Sequence, residues 1–472
     1  MPEWVGARIW HILVTLALLA ALNPSPSPGP LRESLRKSVL AQEGGRPASA
    51  LAALEIALAF EPRAPGLHWK AATLAFAANE PDAVIRHLDA TDSLLPPSSE
   101  RTCLRADTLL KNGNPAGALG LWEGLSSPCP NPTSHFRNLS AGYLAVEDQA
   151  GYEQALISLV ALLPADAASL RTLSLTKAAR APEQAEAYLR AADQASSEGD
   201  VLARALIRAI DEARVEGDPA YTLAQVGQVM AQNNEWVYAS WAFQNALELE
   251  PGYVEARAYL GLSLDRLGRD GLPELDAAAA AAPGAAQPHA FLGMHWRMRG
   301  EASKALAEFE TAARLAPTDP AIAAELAATY ETLGDTDSAL AAYRVATDLA
   351  PRESGFWLLL AGFSIRHELQ IETIGIPAAR NAAALVPGDP AAWDSLGTGY
   401  LIIGDLEMAD RMLTRSLGFA PSRPSSLYHL GLLRLYQGDL MAARTALKSA
   451  IDGDPGGPIA ELAQRALERV DS

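Results

Sequence analysis

Eight histidines, two cysteines and a scatter of carboxylates are the residues of this chain with the chemistry for metal binding, nucleophilic attack or proton transfer. The histidines stand at 11, 68, 87, 135, 289, 295, 367 and 429, and no two are three or four residues apart. Two imidazoles share a helical face only at that spacing, so no single helix offers a pair of them to a metal. The sequence contains no G-x-x-x-x-G-K-[ST], no G-x-S-x-G and no H-E-x-x-H. Gly397 and Gly399 form a lone G-x-G that helix packing explains as well as a nucleotide would. His367, Glu368 and Glu372 form a polar cluster better read as a solvated helix end than as a catalytic dyad. No catalytic residue, cofactor or metal is expected, and the chain is not expected to be an enzyme.

The elements that position these residues follow from composition and repetition. Acidic side chains outnumber basic ones by 56 to 38 over 472 residues, giving a net charge of −18, which disfavours a nucleic-acid binder or a body attached to anionic lipid. An apolar content of 49% is too high for a disordered chain, and two cysteines cannot make a disulfide scaffold or a four-cysteine zinc site. Aromatic residues are only 6% while alanine is abundant, which favours close helix contacts over a β-sandwich.

Trp4–Leu22 reads WVGARIWHILVTLALLAAL and is followed by the spacer PSPSPGP, ending at Pro30. Val5–Leu22 is about 27 Å long as a helix, enough to span a thin bilayer if Arg8 and His11 reach the interface. Cleavage after Ala20 or Ala21 would place Leu18 or Leu19 at a position that needs a small residue, so an uncleaved single-pass anchor is favoured over a signal peptide. Trp4 and Trp10 are then interfacial, and the remainder of the chain lies outside the cytoplasm, or is secreted if cleavage occurs.

Beyond residue 30, proline closes a helical pattern at Pro62, Pro96, Pro130 and Pro164, 34 residues apart each time. It returns at Pro251, Pro283, Pro317, Pro351, Pro387, Pro421 and Pro455, with gaps of 32, 34, 34, 36, 34 and 34. A fixed period of this length means a stacked array. In one unit Trp393, Leu396, Gly397 and Tyr400 share a face of a first helix, and Ala409, Leu413 and Ser416 a face of a second. Gly334, Gly404 and Gly438 suit the left-handed residue past a helix end, Asp335, Asp405 and Asp439 the N-caps that follow, and Asp319-Pro320 and Asp389-Pro390 are cap-plus-first-turn pairs.

These units resemble the tetratricopeptide repeat (TPR). The resemblance is carried by Leu292, Gly293, Trp296, Gly300, Ala305, Phe309, Ala312 and Pro317, and by Leu326, Ala327, Tyr330, Gly334, Ala339, Tyr343, Ala346 and Pro351. It continues in Leu430, Gly431, Gly438, Ala443, Leu447, Ala450 and Pro455, and earlier in Val226, Gly227, Ala239, Phe243, Ala246 and Pro251. In the first half it is weaker. It implies an all-α, right-handed superhelical solenoid of antiparallel helix pairs.

The 87 residues from Pro164 to Pro251 exceed two periods by 19, placing one extra helix near Val201–Glu216. The expected organisation is an anchor or signal segment with linker (1–30), a degenerate repeat block (31–198), an extra helix or seam (199–219), a block of clear repeats (220–457) and a capping helix (458–472).

TPR ligands usually lie on first-helix residues, and transferring that geometry implies a partner-binding groove. In the first block it comprises Trp69, Thr73, Phe76, Cys103, Asp107, Leu110, Arg137 and Leu144. In the second it comprises Met294, Arg297, Met298, Leu358, Ile365, Arg366, Asp394, Thr398, Leu401, Tyr428, Leu432, Leu435 and Tyr436. None of these is Lys or Asn, so the carboxylate clamp of chaperone-binding relatives is not expected. The second groove is apolar enough to hold a strand or amphipathic helix of a partner. Cys103 and Cys129 fall at ends that an antiparallel hairpin brings together, so a disulfide is feasible there, with two ordinary buried thiols as the alternative. The expected function is a membrane-tethered scaffold for a cell-envelope protein. The alternative is an accessory subunit of a polysaccharide or secretion system whose activity resides in another chain.

Overall fold

The computed structural model describes residues 29–471, and these form a succession of α-helices with no strand among the described residues. The apolar stretch Trp4–Leu22 lies outside the described residues. Gly29 and Pro30, read as the end of a linker, instead open the first helix, where a proline costs no hydrogen bond. Among the described residues no helix is long and apolar enough to cross a membrane.

The chain divides between Val215 and Glu216 into two compact units. Unit 1 begins with the hairpins α1 (Gly29–Glu43) with α2 (Pro47–Leu58), and α3 (Pro65–Ala77) with α4 (Pro81–Asp92). It continues with α5 (Ser99–Lys111) and α6 (Pro115–Glu123), α7 (Pro132–Ala145) and α8 (Gln149–Leu162), and α9 (Ala167–Arg180) and α10 (Pro182–Ala195). A single helix, α11 (Val201–Ala213), packs on the last hairpin.

Unit 2 pairs α12 (Pro219–Gln232) with α13 (Trp236–Leu249), α14 (Val254–Arg266) with α15 (Leu272–Ala281), and α16 (Ala286–Met298) with α17 (Ala302–Leu315). Then come α18 (Pro320–Leu333) with α19 (Thr336–Leu349), and α20 (Ser354–Arg366) with α21 (Ile376–Leu385). The last pairs are α22 (Pro390–Ile402) with α23 (Leu406–Phe419) and α24 (Pro424–Tyr436) with α25 (Leu440–Gly453), closed by α26 (Pro458–Asp471).

Each hairpin is fixed at its ends by local chemistry. Gly334 enters the left-handed region at φ 79°, ending α18, and the Asp335 carboxylate accepts from the Ser338 N–H at 3.1 Å to start α19. Asp405 and Asp439 repeat the cap on Met408 and Ala442, each at 3.0 Å. The core is built from small residues at the crossing and large ones beside them: in α17, Ala305, Phe309 and Ala312 are buried at four- and three-residue spacing. Fully burying a side chain such as Phe309 contributes about 1.5–3 kcal/mol.

The two departures from the period are absorbed in turns. The two extra residues before Pro387 form one π-helical turn, Ile371–Gly375, entered through Glu368 and Gln370 at φ 52° and 50°. The two-residue deficit before Pro283 draws the backbones of Gly261 and Gly271 so close that a Cβ on Gly271 would lie 2.0 Å from the Gly261 carbonyl oxygen.

Candidate partner-binding face

Along unit 2 the first helices of successive hairpins exchange polar contacts. Gln228 Nε2 donates to Glu255 at 2.7 Å, His295 Nδ1 to Asp265 at 2.8 Å, and Arg297 pairs with Glu325. Arg366 and His367 both donate to Glu331 at 2.9 Å, and His429 Nδ1 donates to Asp394 at 2.8 Å. Each bond joins one hairpin to the next, so these groups stitch the array and are spent before any partner arrives. Burial pushes the Asp394 carboxyl up, but His429, Ser425 and Arg423 together outweigh it and hold the group below the ordinary aspartate range. Glu331 behaves alike: burial opposes, and His367, Arg366 and Tyr343 prevail. The Tyr343 hydroxyl is raised, first by burial and then by the Glu331 carboxylate.

Among the groove residues expected from sequence, Met298 is 52% exposed and Tyr436 72%. Met294, Leu358 and Ile365 are half-buried. So are Tyr428, Leu432 and Leu435, which partly pack on the core between α25 and α26. Two expectations are corrected. Leu401 is 6% exposed and packs with Ala409, Leu413 and Leu433, and Asp394 is buried beneath His429, so neither opens onto a partner. Both lie on the first helix but turn toward the next repeat. Arg297 and Arg366 are accessible only as members of their ion pairs.

A recurring latch shapes the start of these helices. Trp357 and Trp393 Nε1 donate to the carbonyls of Pro351 and Pro387, each at 2.9 Å, and Arg257 Nη2 donates to Pro251 at 2.8 Å. In unit 1, His68 Nε2 donates likewise to Pro62 at 3.0 Å. A donor six residues after the proline thus satisfies the carbonyl that the proline leaves at the turn.

In unit 1, Trp69, Thr73, Phe76 and Leu110 are half-buried, with the Lys111 ammonium 3.9 Å over the Phe76 ring. Arg137 is exposed, and Leu144 is 38% exposed. Asp107 accepts from Asn138 Nδ2 at 3.0 Å. Cys103 is buried rather than groove-lining, because it is bonded to Cys129 with the Cα atoms 6.0 Å apart. Cys129 sits in the turn after α6, not on a helix, and His135 Nδ1 lies 3.2 Å from its sulfur.

Histidine pairing was invisible to a search for i,i+4 spacing. His68 and His87 meet at 3.1 Å across the α3–α4 hairpin, although 19 residues separate them. Asp265, Asp270 and His295 bring ligand-type atoms within 4.8 Å of one another, the donor set of a divalent cation. Here Asp265 already accepts from His295 and from the Gly271 N–H at 3.0 Å, while Asp270 accepts from Arg299 at 2.7 Å. The cluster braces the shortened turn through bonds among its own side chains and backbone.

Stacked antiparallel hairpins joined through their first helices define a helical-repeat protein. Residues 322–353 match the family model of the tetratricopeptide repeat, and helix hairpins of similar build flank that stretch on either side. Similar solved structures include a thermophilic TPR protein of Thermus thermophilus, 23% identical with TM-score 0.34, covering 40% of this chain and 100% of that one. The Cut9–Hcn1 hetero-tetramer of the APC/C is 16% identical with TM-score 0.43, covering 93% and 96%. Yeast Tom70 is 14% identical with TM-score 0.39, covering 93% and 95%. No curated protein sequence matches the chain.

Proposed function

We propose that the chain is a non-catalytic protein-interaction scaffold, and that the first-helix face of unit 2 holds an apolar or helical segment of a cell-envelope partner. In this reading Trp4–Leu22 tethers the array to a membrane, with the repeats outside the cytoplasm. The supporting observation is a division of labour on that face. Its polar side chains bond to neighbouring repeats, while Met298 and Tyr436 stay exposed and Ile365, Leu432 and Leu435 half-buried. A segment that removes apolar surface from water there gains about 25 cal/mol per Å² and breaks no ion pair.

The experiment is site-specific photo-crosslinking of the full chain in its native cell. A photo-reactive residue at Met298 or Tyr436 is expected to form adducts with one polypeptide, and Leu432→Asp with Leu435→Asp to abolish those at Tyr436. Adducts arising only from second-helix positions such as Arg411 or Lys448 would reject the assignment. Extraction with alkaline carbonate tests the tether: release of the chain into the soluble fraction counts against it.

A further inference from the structure

The His68–His87 pair has a geometry that fixes its protons. The two Nδ1 atoms are 3.1 Å apart and the ring centroids 5.4 Å apart. That centroid distance is the N–N distance plus the two ring radii, so the nitrogens point straight at each other. A metal on that line would hold them about 4 Å apart. What fits is one hydrogen between two nitrogens.

The tautomers follow. His68 Nε2 faces the Pro62 carbonyl, which only accepts, so it carries a proton. Neutral His68 then has a bare Nδ1, and His87 Nδ1–H must donate to it. His87 Nε2 is left without a hydrogen-bond partner, 3.5 Å from Glu55 Oε1.

We propose that this pair is an acid-sensitive latch, closing the α3–α4 hairpin with one shared proton and opening when a second added proton reaches His68. The first added proton has a place, on His87 Nε2 toward Glu55, and leaves the N–N bond intact. The second must go to His68 Nδ1, where it sets two N–H groups against each other inside a packed hairpin. The charged groups facing the pair are Glu55 from α2 and Arg86 from α4, themselves paired at 2.6 Å. On the α5 side, Arg101 bonds Asp92 at 2.6 Å and Arg105 bonds Asp89 at 2.7 Å, so that helix brings no free counter-charge. Burial, then Arg86, hold His87 below the ordinary histidine range against the pull of Glu55, so the pair stays neutral until the solution is more acidic than about pH 6.5.

The test uses the full chain in detergent, with ¹⁵N-histidine NMR and amide exchange read by mass spectrometry. At pH 7.5 the expected pattern is a protonated Nε2 on His68 and a protonated Nδ1 on His87. Between pH 7.5 and 5, after correction for intrinsic rates and with unit 2 peptides as reference, peptides within residues 65–92 are expected to exchange about tenfold faster. In His68→Gln the amide oxygen still accepts from His87 Nδ1–H and takes up no proton, so the acid effect shrinks to the part that His87 alone contributes. The proposal is overturned if both nitrogens of the N–N contact are bare or both protonated at pH 7.5. It is equally overturned if acid leaves wild-type exchange unchanged, or loosens His68→Gln as much.

Discussion

Where the two helices of a hairpin cross most closely, the units use different residues. In unit 2 the register holds alanine at Ala327 and Ala361 and glycine elsewhere, and over Gly227, Gly293, Gly397 and Gly431 the facing second helix lays Phe243, Phe309, Leu413 and Leu447. A Cβ there would come within 2.7, 2.8, 2.6 and 2.7 Å of those side chains. In unit 1 the same register holds Ser38, Ala72, Ala106, Ser140 and Ser174, all buried, with Leu54, Leu88, Trp122, Leu156 and Leu189 buried on the second helices. Those crossings leave room for a Cβ. Ser38 uses its side chain, donating to the Ala50 carbonyl of α2 at 2.8 Å, and unit 1 adds the Cys103–Cys129 disulfide. Four of the unit 2 crossings are tight apolar interdigitations over glycine, whereas unit 1 keeps a Cβ at every crossing and adds a covalent cross-link.

The comparison is most exposed at the disulfide. Cys103→Ser, or reduction, is expected to cost unit 1 about 2–4 kcal/mol and leave unit 2 unchanged, read as a downward shift of one of two thermal transitions. Equal shifts in both would show that the units do not differ in this way. Next is Gly397→Leu, expected to cost unit 2 about 1–3 kcal/mol or more because Leu413 already fills the space, as measured by urea denaturation. Stability equal to wild type would mean that the crossing is looser than it looks. Ser38→Ala should remove about 1 kcal/mol from unit 1 by deleting the hydroxyl's bond across the hairpin, and Asp335→Ala about 1 kcal/mol from unit 2 by removing a cap.

The smallest expected effect is a difference in acid response. His87 and His135 are both held low, foremost by burial, so in the folded state they bind protons less readily than in the unfolded chain. The stability they lend is complete above about pH 6.5 and falls as pH drops toward their folded values. In unit 2, Asp394 and Glu331 are held below their ordinary range, so their contribution survives until pH falls below about 4. Circular dichroism melts from pH 8 to 3 should show unit 1 softening first, and the reverse order would refute the contrast.

The hairpin boundaries were legible in the sequence because they rest on short-range chemistry. A cap reaches three residues, a left-handed glycine acts at its own position, and a proline stops its own helix, so Gly334-Asp335 and Asp389-Pro390 announce themselves. The extra helix showed as an excess over the period, though not that a π-turn would absorb the surplus before Pro387. What tertiary structure alone decided is which residue on a first helix meets the next repeat. Successive positions are about 100° apart around a helix, so Leu401 is buried while Tyr436, which aligns with exposed Ile402 one step further on, faces out, although both were expected to face a partner. The bonds from His68 to His87, Asp265 to His295 and Asp394 to His429 span 19, 30 and 35 residues. No local period encodes them, because they exist only once packing has fixed the rotation of each helix against its neighbour.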